Sequence, residues 1–81
     1  MEKRVVCQMS YLPLGDADGM RKVKKVLGII KDSGLEFTIC KLSTTVTAEK
    51  EEIFKLVNKI CDELKPEGNF VFDMRITSFY E

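Results

Sequence analysis

Two groups of polar side chains in otherwise apolar segments have the residue types needed to hold a small polar ligand. Gln8 and Ser10 alternate with apolar residues before Pro13, and hydroxyl residues occupy positions 43–45, about thirty residues later. Hydroxyl and amide groups donate and accept hydrogen bonds, which suits a heteroaromatic ring with an amino group beside ring nitrogens. Tyr11 and Phe37 offer flat surfaces for such a ring, or belong to the core. The pattern predicts a hydroxyl-lined pocket, unless the threonines are only strand formers.

Residue types that support catalysis or metal binding are scarce. The chain has no histidine, so histidine-dependent base catalysis and histidine-based metal sites are excluded. Cys7, Cys40 and Cys61 lack the close pairing of metal and redox motifs, and we interpret them as small buried apolar residues with reduced thiols, typical of a cytoplasmic protein. We therefore expect no catalytic residue, no metal site and no cofactor.

Composition predicts one small globular domain over residues 1–81. Apolar residues make up 44% of the chain, and 13 basic residues balance 13 acidic ones. A net charge of zero argues against nucleic acid and membrane surfaces as partners, because phosphate binding depends on clustered basic excess. The basic cluster Arg21, Lys22, Lys24 and Lys25 is expected on the solvent face of a helix. No long apolar run predicts a signal peptide or a membrane span.

Hydrophobic periodicity predicts four strands and two helices. Strands are expected at 4–12, 35–42, 43–47 and 69–79, and helices at 19–33 and 48–64. The first helix is expected to begin after Asp16 and Asp18, to bury a stripe that includes Met20, and to end before Gly34. Thr47 is expected to cap the second helix.

The order β-α-β-β-α-β predicts an α+β ferredoxin-like sandwich, a four-stranded antiparallel sheet with two helices on one face. Right-handed crossovers place the first and third strands in the centre, the fourth beside the first and the second at the far edge. Alternation then leaves one set of side chains on the uncovered face: Val6, Gln8, Ser10, Val71, Asp73, Arg75 and Thr77.

This uncovered face has two compatible interpretations. One is a homodimer that packs sheet on sheet, with Asp73 and Arg75 pairing across the interface. The other is a ligand pocket on this face or at its rim. In the first, the polar residues are interface residues; in the second, they contact a ligand.

The segment from Cys7 to Gly15, then Ser33-Gly34-Leu35, then Ser43-Thr44-Thr45-Val46, resembles the YkoF-like thiamine-binding family. The resemblance implies a non-enzymatic cytoplasmic protein that binds thiamine or its hydroxymethylpyrimidine portion and assembles as a homodimer or homotetramer. By position it implies Ser10, Ser43 and Thr44 as pyrimidine contacts.

Further contacts can be assigned to the same ligand. Gln8 would join the hydroxyl groups at the aminopyrimidine edge, and Tyr11 would stack on the ring. Asp73 would offset a thiazolium charge, whereas Arg75 would attract a phosphate if the ligand is phosphorylated.

Two other functions are alternatives to ligand binding. A ligand-free oligomerisation or regulatory module is compatible with the fold. A small acyl-phosphate hydrolase of the same fold would need an arginine in the first loop, and residues 14–18 contain carboxylates instead. The hydrolase is therefore disfavoured, and a binding protein or a regulatory module is expected.

Overall fold

The computed structural model describes residues 3–15 and 17–80. It confirms the predicted order of elements, with one additional short 3-10 helix before the last strand. The elements are β1 (Arg4–Pro13), α1 (Gly19–Asp32), β2 (Glu36–Ile39), β3 (Thr44–Glu49), α2 (Lys50–Leu64), the 3-10 helix (Lys65–Glu67) and β4 (Phe70–Ile76).

The four strands form one antiparallel sheet in the order β2-β3-β1-β4, as the crossover argument predicts. The fold is therefore an α+β ferredoxin-like one. In β1, Cys7 and Met9 are buried whereas Gln8 between them is exposed, so the period of two assigns alternate residues to a covered and an uncovered face. We call the uncovered face, with the seven residues predicted for it, the open face.

The core lies between the helices and the covered face of the sheet. Spacings of three and four residues give each helix one apolar stripe, which includes Val26 and Ile30 in α1 and Ile53, Leu56 and Ile60 in α2. These side chains are buried against Cys7, Met9, Val46 and Ala48 of the central strands.

The start of α1 differs from its predicted pattern in two ways. Met20 is 68% exposed, because the first turn of α1 lies beside Pro13, where β3 and β2 have ended and the sheet is narrow. Lys22 is only 4% exposed instead of lying on the solvent face. Its ammonium group donates to the main-chain carbonyl of Glu67, which satisfies the buried charge locally. Asp18 occupies the N-cap position without a side-chain capping bond, and Asp16 lies outside the described residues.

The second half of the chain also departs from the predicted boundaries. The prediction that Thr47 caps α2 is wrong: β3 continues to Glu49 because Ala48 pairs with Val5 and is buried, and Glu49 takes the N-cap position. The prediction that β4 reaches Phe79 is also wrong. The Thr77 N–H still donates to the Val6 carbonyl (2.9 Å), but the Val6 N–H donates to the Thr77 hydroxyl (3.0 Å), and the regular main-chain pairing ends there.

Strand β2 is shorter than predicted, since residues 40–43 leave the sheet as a turn. In this turn Cys40 is exposed, which corrects its assignment as a buried apolar residue, whereas Cys7 is buried as predicted. At the end of α1, Gly34 has a φ of +77°, as predicted for the residue after a helix C-cap.

Candidate functional site

The two central strands end at different levels, and this offset opens a cleft at the surface. The register of β1 with β3 ends at the pair Met9–Thr44, whereas its register with β4 continues to Pro13–Phe70. Beyond Met9, the place of a third strand is taken by the turn of residues 40–43. The N–H of Cys40 donates to the carbonyl of Ser43 (2.8 Å), which closes this turn.

A cleft of about 290 Å³ lies between this turn, β1 and helix α1. Its volume is at the lower end of the roughly 300–1,000 Å³ typical of small-molecule sites, so it fits one ring more readily than two. The walls are mostly apolar side chains from the sheet and from α1: Met9, Tyr11, Val23, Leu27, Ile30 and Phe72.

Thr44 provides a hydroxyl in this apolar setting. It is the first residue of β3, it is 6% exposed, and it lies between Met9 of β1 and Ile39 of β2 in the sheet register. Burial strengthens a hydrogen bond because water does not compete for the partner. Thr44 can therefore fix the orientation of a planar ligand that enters the cleft.

Two aromatic residues of the cleft occupy neighbouring strands. Tyr11 and Phe72 are partners in the β1–β4 register and both are partly buried. Tyr11 also contacts Phe70, with ring centroids 5.2 Å apart and ring planes tilted by 40°. Phe70 thus supports the Tyr11 ring, which together with Phe72 forms the aromatic side of the cleft.

The open face contains the charged members of the predicted site. Gln8 is opposite Arg75 and Ser10 is opposite Asp73 in the β1–β4 register. These residues line a shallow depression of about 480 Å³. Of the described residues that line this depression, only Ser10 also lines the cleft. Its mixture of charges suits a polar contact surface better than an enclosed ring site.

Two side-chain hydrogen bonds connect the open face to the cleft. Gln8 Nε2 donates to Ser43 Oγ (3.3 Å), and Ser10 Oγ donates to the carbonyl of Leu42 (3.0 Å). Both bonds end on the turn that forms one wall of the cleft. Gln8 and Ser10 therefore position this wall from the other face of the sheet.

The structure thus divides the predicted site residues between two faces. Tyr11 and Thr44 lie in the cleft, whereas Gln8, Asp73 and Arg75 lie on the open face. Ser10 and Ser43 lie where the two meet. The Ser43 hydroxyl accepts a hydrogen bond from Gln8 of the open face, whereas Thr44 is buried and pairs with Met9 of the covered face, so the structure does not present the two residues as one hydroxyl pair.

The sequence interpretation missed the contributions of helix α1 and of the turn. Val23, Leu27 and Ile30 line the cleft in addition to contributing to the apolar stripe of α1, and Lys41 lies in the turn beside it. No sequence pattern around Lys41 indicated that it would line a cleft.

The thiols of Cys7 and Cys61 are poorly suited to nucleophilic chemistry. Burial raises the pKa of Cys7, and burial together with the nearby Asp62 carboxylate raises the pKa of Cys61. Among residues 3–15 and 17–80, no three side chains of the metal-ligating types cluster. Neither helix of this part of the chain is both long and apolar enough to cross a membrane.

Three solved structures share the fold over almost the whole chain. A Thermotoga maritima protein, provisionally assigned to thiamine biosynthesis or salvage, is 22% identical at a TM-score of 0.85, over 95% of this chain and 84% of that one. A Streptococcus pneumoniae protein is 14% identical at a TM-score of 0.88, over 95% of this chain and 88% of that one. A hypothetical protein of Methanocaldococcus jannascii is 22% identical at a TM-score of 0.86, over 99% of this chain and 84% of that one. At these identities the likeness shows the fold alone.

Comparison by sequence family is more specific. No curated protein matches the chain significantly. The profile of a family described as thiamine-binding protein, however, matches residues 7–78, which include most of β1, both helices and all of β4. The chain therefore belongs to the thiamine-binding protein family.

Proposed function

We propose that this protein binds thiamine or its hydroxymethylpyrimidine portion in the cleft beside Thr44. The observation that supports this most directly is the combination of a one-ring cleft, an aromatic side and a buried hydroxyl. Membership of a thiamine-binding family and the salvage assignment of the Thermotoga maritima relative point to the same ligand class.

The chemistry of the pyrimidine matches the walls of the cleft. Its ring is flat and packs against Tyr11 and Phe72, while its exocyclic amine and ring nitrogens need hydrogen-bond partners of both kinds. A threonine hydroxyl both donates and accepts. Thr44 is thus the primary polar contact in this proposal, and Ser43 and Ser10 complete the rim.

The test is calorimetry of the whole protein with hydroxymethylpyrimidine and with thiamine, comparing Thr44→Val and Thr45→Val. Both substitutions replace a hydroxyl by a methyl group in the same strand, but Thr45 pairs with Gln8 on the other face. We expect Thr44→Val to weaken binding roughly tenfold, because a ligand group loses its buried partner, and Thr45→Val to leave it unchanged. Absence of binding heat with both ligands, or equal effects of the two variants, would contradict the proposal.

The proposed role is that of a non-enzymatic carrier or sensor in the cytoplasm. The high thiol pKa values of Cys7 and Cys61 support a binding role over a covalent one, and the unpaired cysteines fit a reducing compartment. The alternative is a ligand-free oligomerisation or regulatory module. It would be favoured by a stable assembly that takes up neither ligand.

We also propose that the protein works as a homodimer or homotetramer, with the open face as a contact surface. Leu12 and Val71 are partners in the β1–β4 register and are 50% and 42% exposed. Asp73 and Arg75 follow on the same face of β4 and bear opposite charges, so two copies related by a two-fold axis can pair them reciprocally.

A further inference from the structure

The charges around the cleft are of one sign. Lys41 is exposed and is the single charged residue among the described residues that line the cleft. An adjoining depression of about 290 Å³ shares Leu27 and Ile39 with the cleft and is also lined by Lys24 and Lys31 of α1. None of the described residues that line either hollow is a carboxylate.

The small volume of the cleft determines which part of a bound ligand lies near these lysines. If the pyrimidine ring occupies the roughly 290 Å³ beside Thr44, its largest substituent must extend toward the mouth. There, an anionic substituent would be attracted by Lys41 and by the two α1 lysines. A cationic thiazolium would instead face ammonium groups of the same sign.

The carboxylate that could offset a cation lies elsewhere. Asp73 lines the shallow depression of the open face together with Gln8 and Arg75, and it is absent from the cleft walls. Arg75 is on that same face, so it cannot serve as the phosphate contact for a ligand in the cleft. Of the described residues, the lysines that line the cleft and the adjoining depression are therefore the cations available to such a ligand.

We propose that the preferred ligand is a phosphate ester of the aminopyrimidine, its ring in the cleft beside Thr44 and its phosphate held at the mouth by Lys41, with Lys24 and Lys31 reinforcing the positive potential. The inference rests on the proposed function and narrows its ligand class. Lys41 belongs to the turn that Gln8 and Ser10 fix, so its position is coupled to the cleft wall.

The test compares three ligands by calorimetry at low and at physiological salt: hydroxymethylpyrimidine, its phosphate monoester and thiamine. The variants are Lys41→Gln and, as a matched control, Lys65→Gln, an exposed lysine in the 3-10 helix that lines neither hollow. We expect the monoester to bind wild type at least fivefold more tightly than the alcohol, with thiamine weakest. Lys41→Gln removes most of this gain, Lys65→Gln leaves it intact, and salt reduces it.

The outcomes separate this inference from the proposed function. The phosphate assignment is wrong, and the pyrimidine site stands, if the monoester binds no more tightly than the alcohol or if thiamine binds more tightly than the monoester. The same holds if Lys41→Gln and Lys65→Gln have the same effect on affinity for the monoester. If none of the three ligands binds, the proposed function fails and this inference fails with it.

Discussion

Glu67 connects helix α1 to the segment that leads into β4. Its carboxylate accepts hydrogen bonds from Arg21 (3.0 Å) and from Lys25, and its main-chain carbonyl accepts one from the buried Lys22. Gly68 follows with a φ of +130°, and a Cβ there would lie 2.9 Å from Lys22 Nζ. A side chain at position 68 would therefore be strained and would displace the ammonium group.

We predict that this cluster makes stability depend on pH. The hydrogen bond from Lys25 and then that from Arg21 lower the pKa of Glu67 from its usual 4.5. Because the folded state binds this proton less tightly than the unfolded state does, the carboxylate stabilises the fold above about pH 4.5, and this contribution is lost as pH falls through the lowered pKa. Urea unfolding at pH 7, 5 and 3 should show Glu67→Gln less stable than wild type at pH 7, with the difference shrinking at pH 3.

The control for this prediction is Glu63→Gln. Glu63 is also a partner of a lysine, but it lies 4.0 Å from Lys59 on the exposed side of α2. Such surface pairs contribute little. A difference for Glu67→Gln that is constant across the pH range would show that the carboxylate does not act through its ionisation.

At the scale of elements, the turn of residues 40–43 joins β2 to β3 and forms a wall of the cleft. It contains no glycine or asparagine of the kind that fixes a tight hairpin. Instead, Gln8 and Ser10 of the neighbouring strand bind Ser43 and the Leu42 carbonyl. Leu42 is 91% exposed, so burial of its apolar side chain does not stabilise this turn.

We predict that Ser10→Ala loosens the turn and thereby weakens ligand binding several-fold, with only a small loss of global stability. A single partly exposed hydrogen bond is worth about 0.5–1.5 kcal/mol, which corresponds to roughly two- to tenfold in an equilibrium. Hydrogen exchange should show faster exchange at the Cys40 amide, which bonds to Ser43. Ser10→Thr keeps the hydroxyl and should retain slow exchange; equal exchange in Ser10→Ala and wild type would contradict this positioning role.

At the scale of the whole molecule, the sheet has one face under helices and one without them. The open face has apolar residues at its ends and charges in its middle. A chain of 81 residues buries only about 60–65% of its unfolded surface on folding, so closing this face against a second copy would add substantially to its stability.

We predict that Arg75→Asp weakens self-association at least tenfold, because carboxylates of both copies then face each other, and that the pair Arg75→Asp with Asp73→Arg restores it. Sedimentation over a range of concentrations measures the change. Lys59→Asp, on the exposed side of α2, is the control and should leave association unchanged. A wild type that is monomeric at high concentration would exclude the assembly, and an unaffected Arg75→Asp would exclude this face.

Much of the fold could be predicted because its determinants are local. The apolar stripes of α1 and α2, the alternation in β1 and β4, and Gly34 each depend on a few neighbouring residues, and they led to the observed strand order. Element ends were less predictable. Thr47 resembles a helix cap by residue type, but the pairing of Ala48 with Val5 keeps it in the strand, and these two residues are 43 positions apart in the sequence.

For the candidate site, the sequence by itself determined which residues belong to each face, since side-chain alternation is a property of the strand. Only the tertiary structure decided that β3 ends opposite Met9 while β1 continues, which opens the cleft beside Thr44 and separates it from Asp73 and Arg75. The burial of Lys22 and the position of Lys41 beside the cleft also depend on the tertiary structure. The physical reason is that strand offsets and long side-chain contacts depend on residues distant in sequence, whereas periodicity does not.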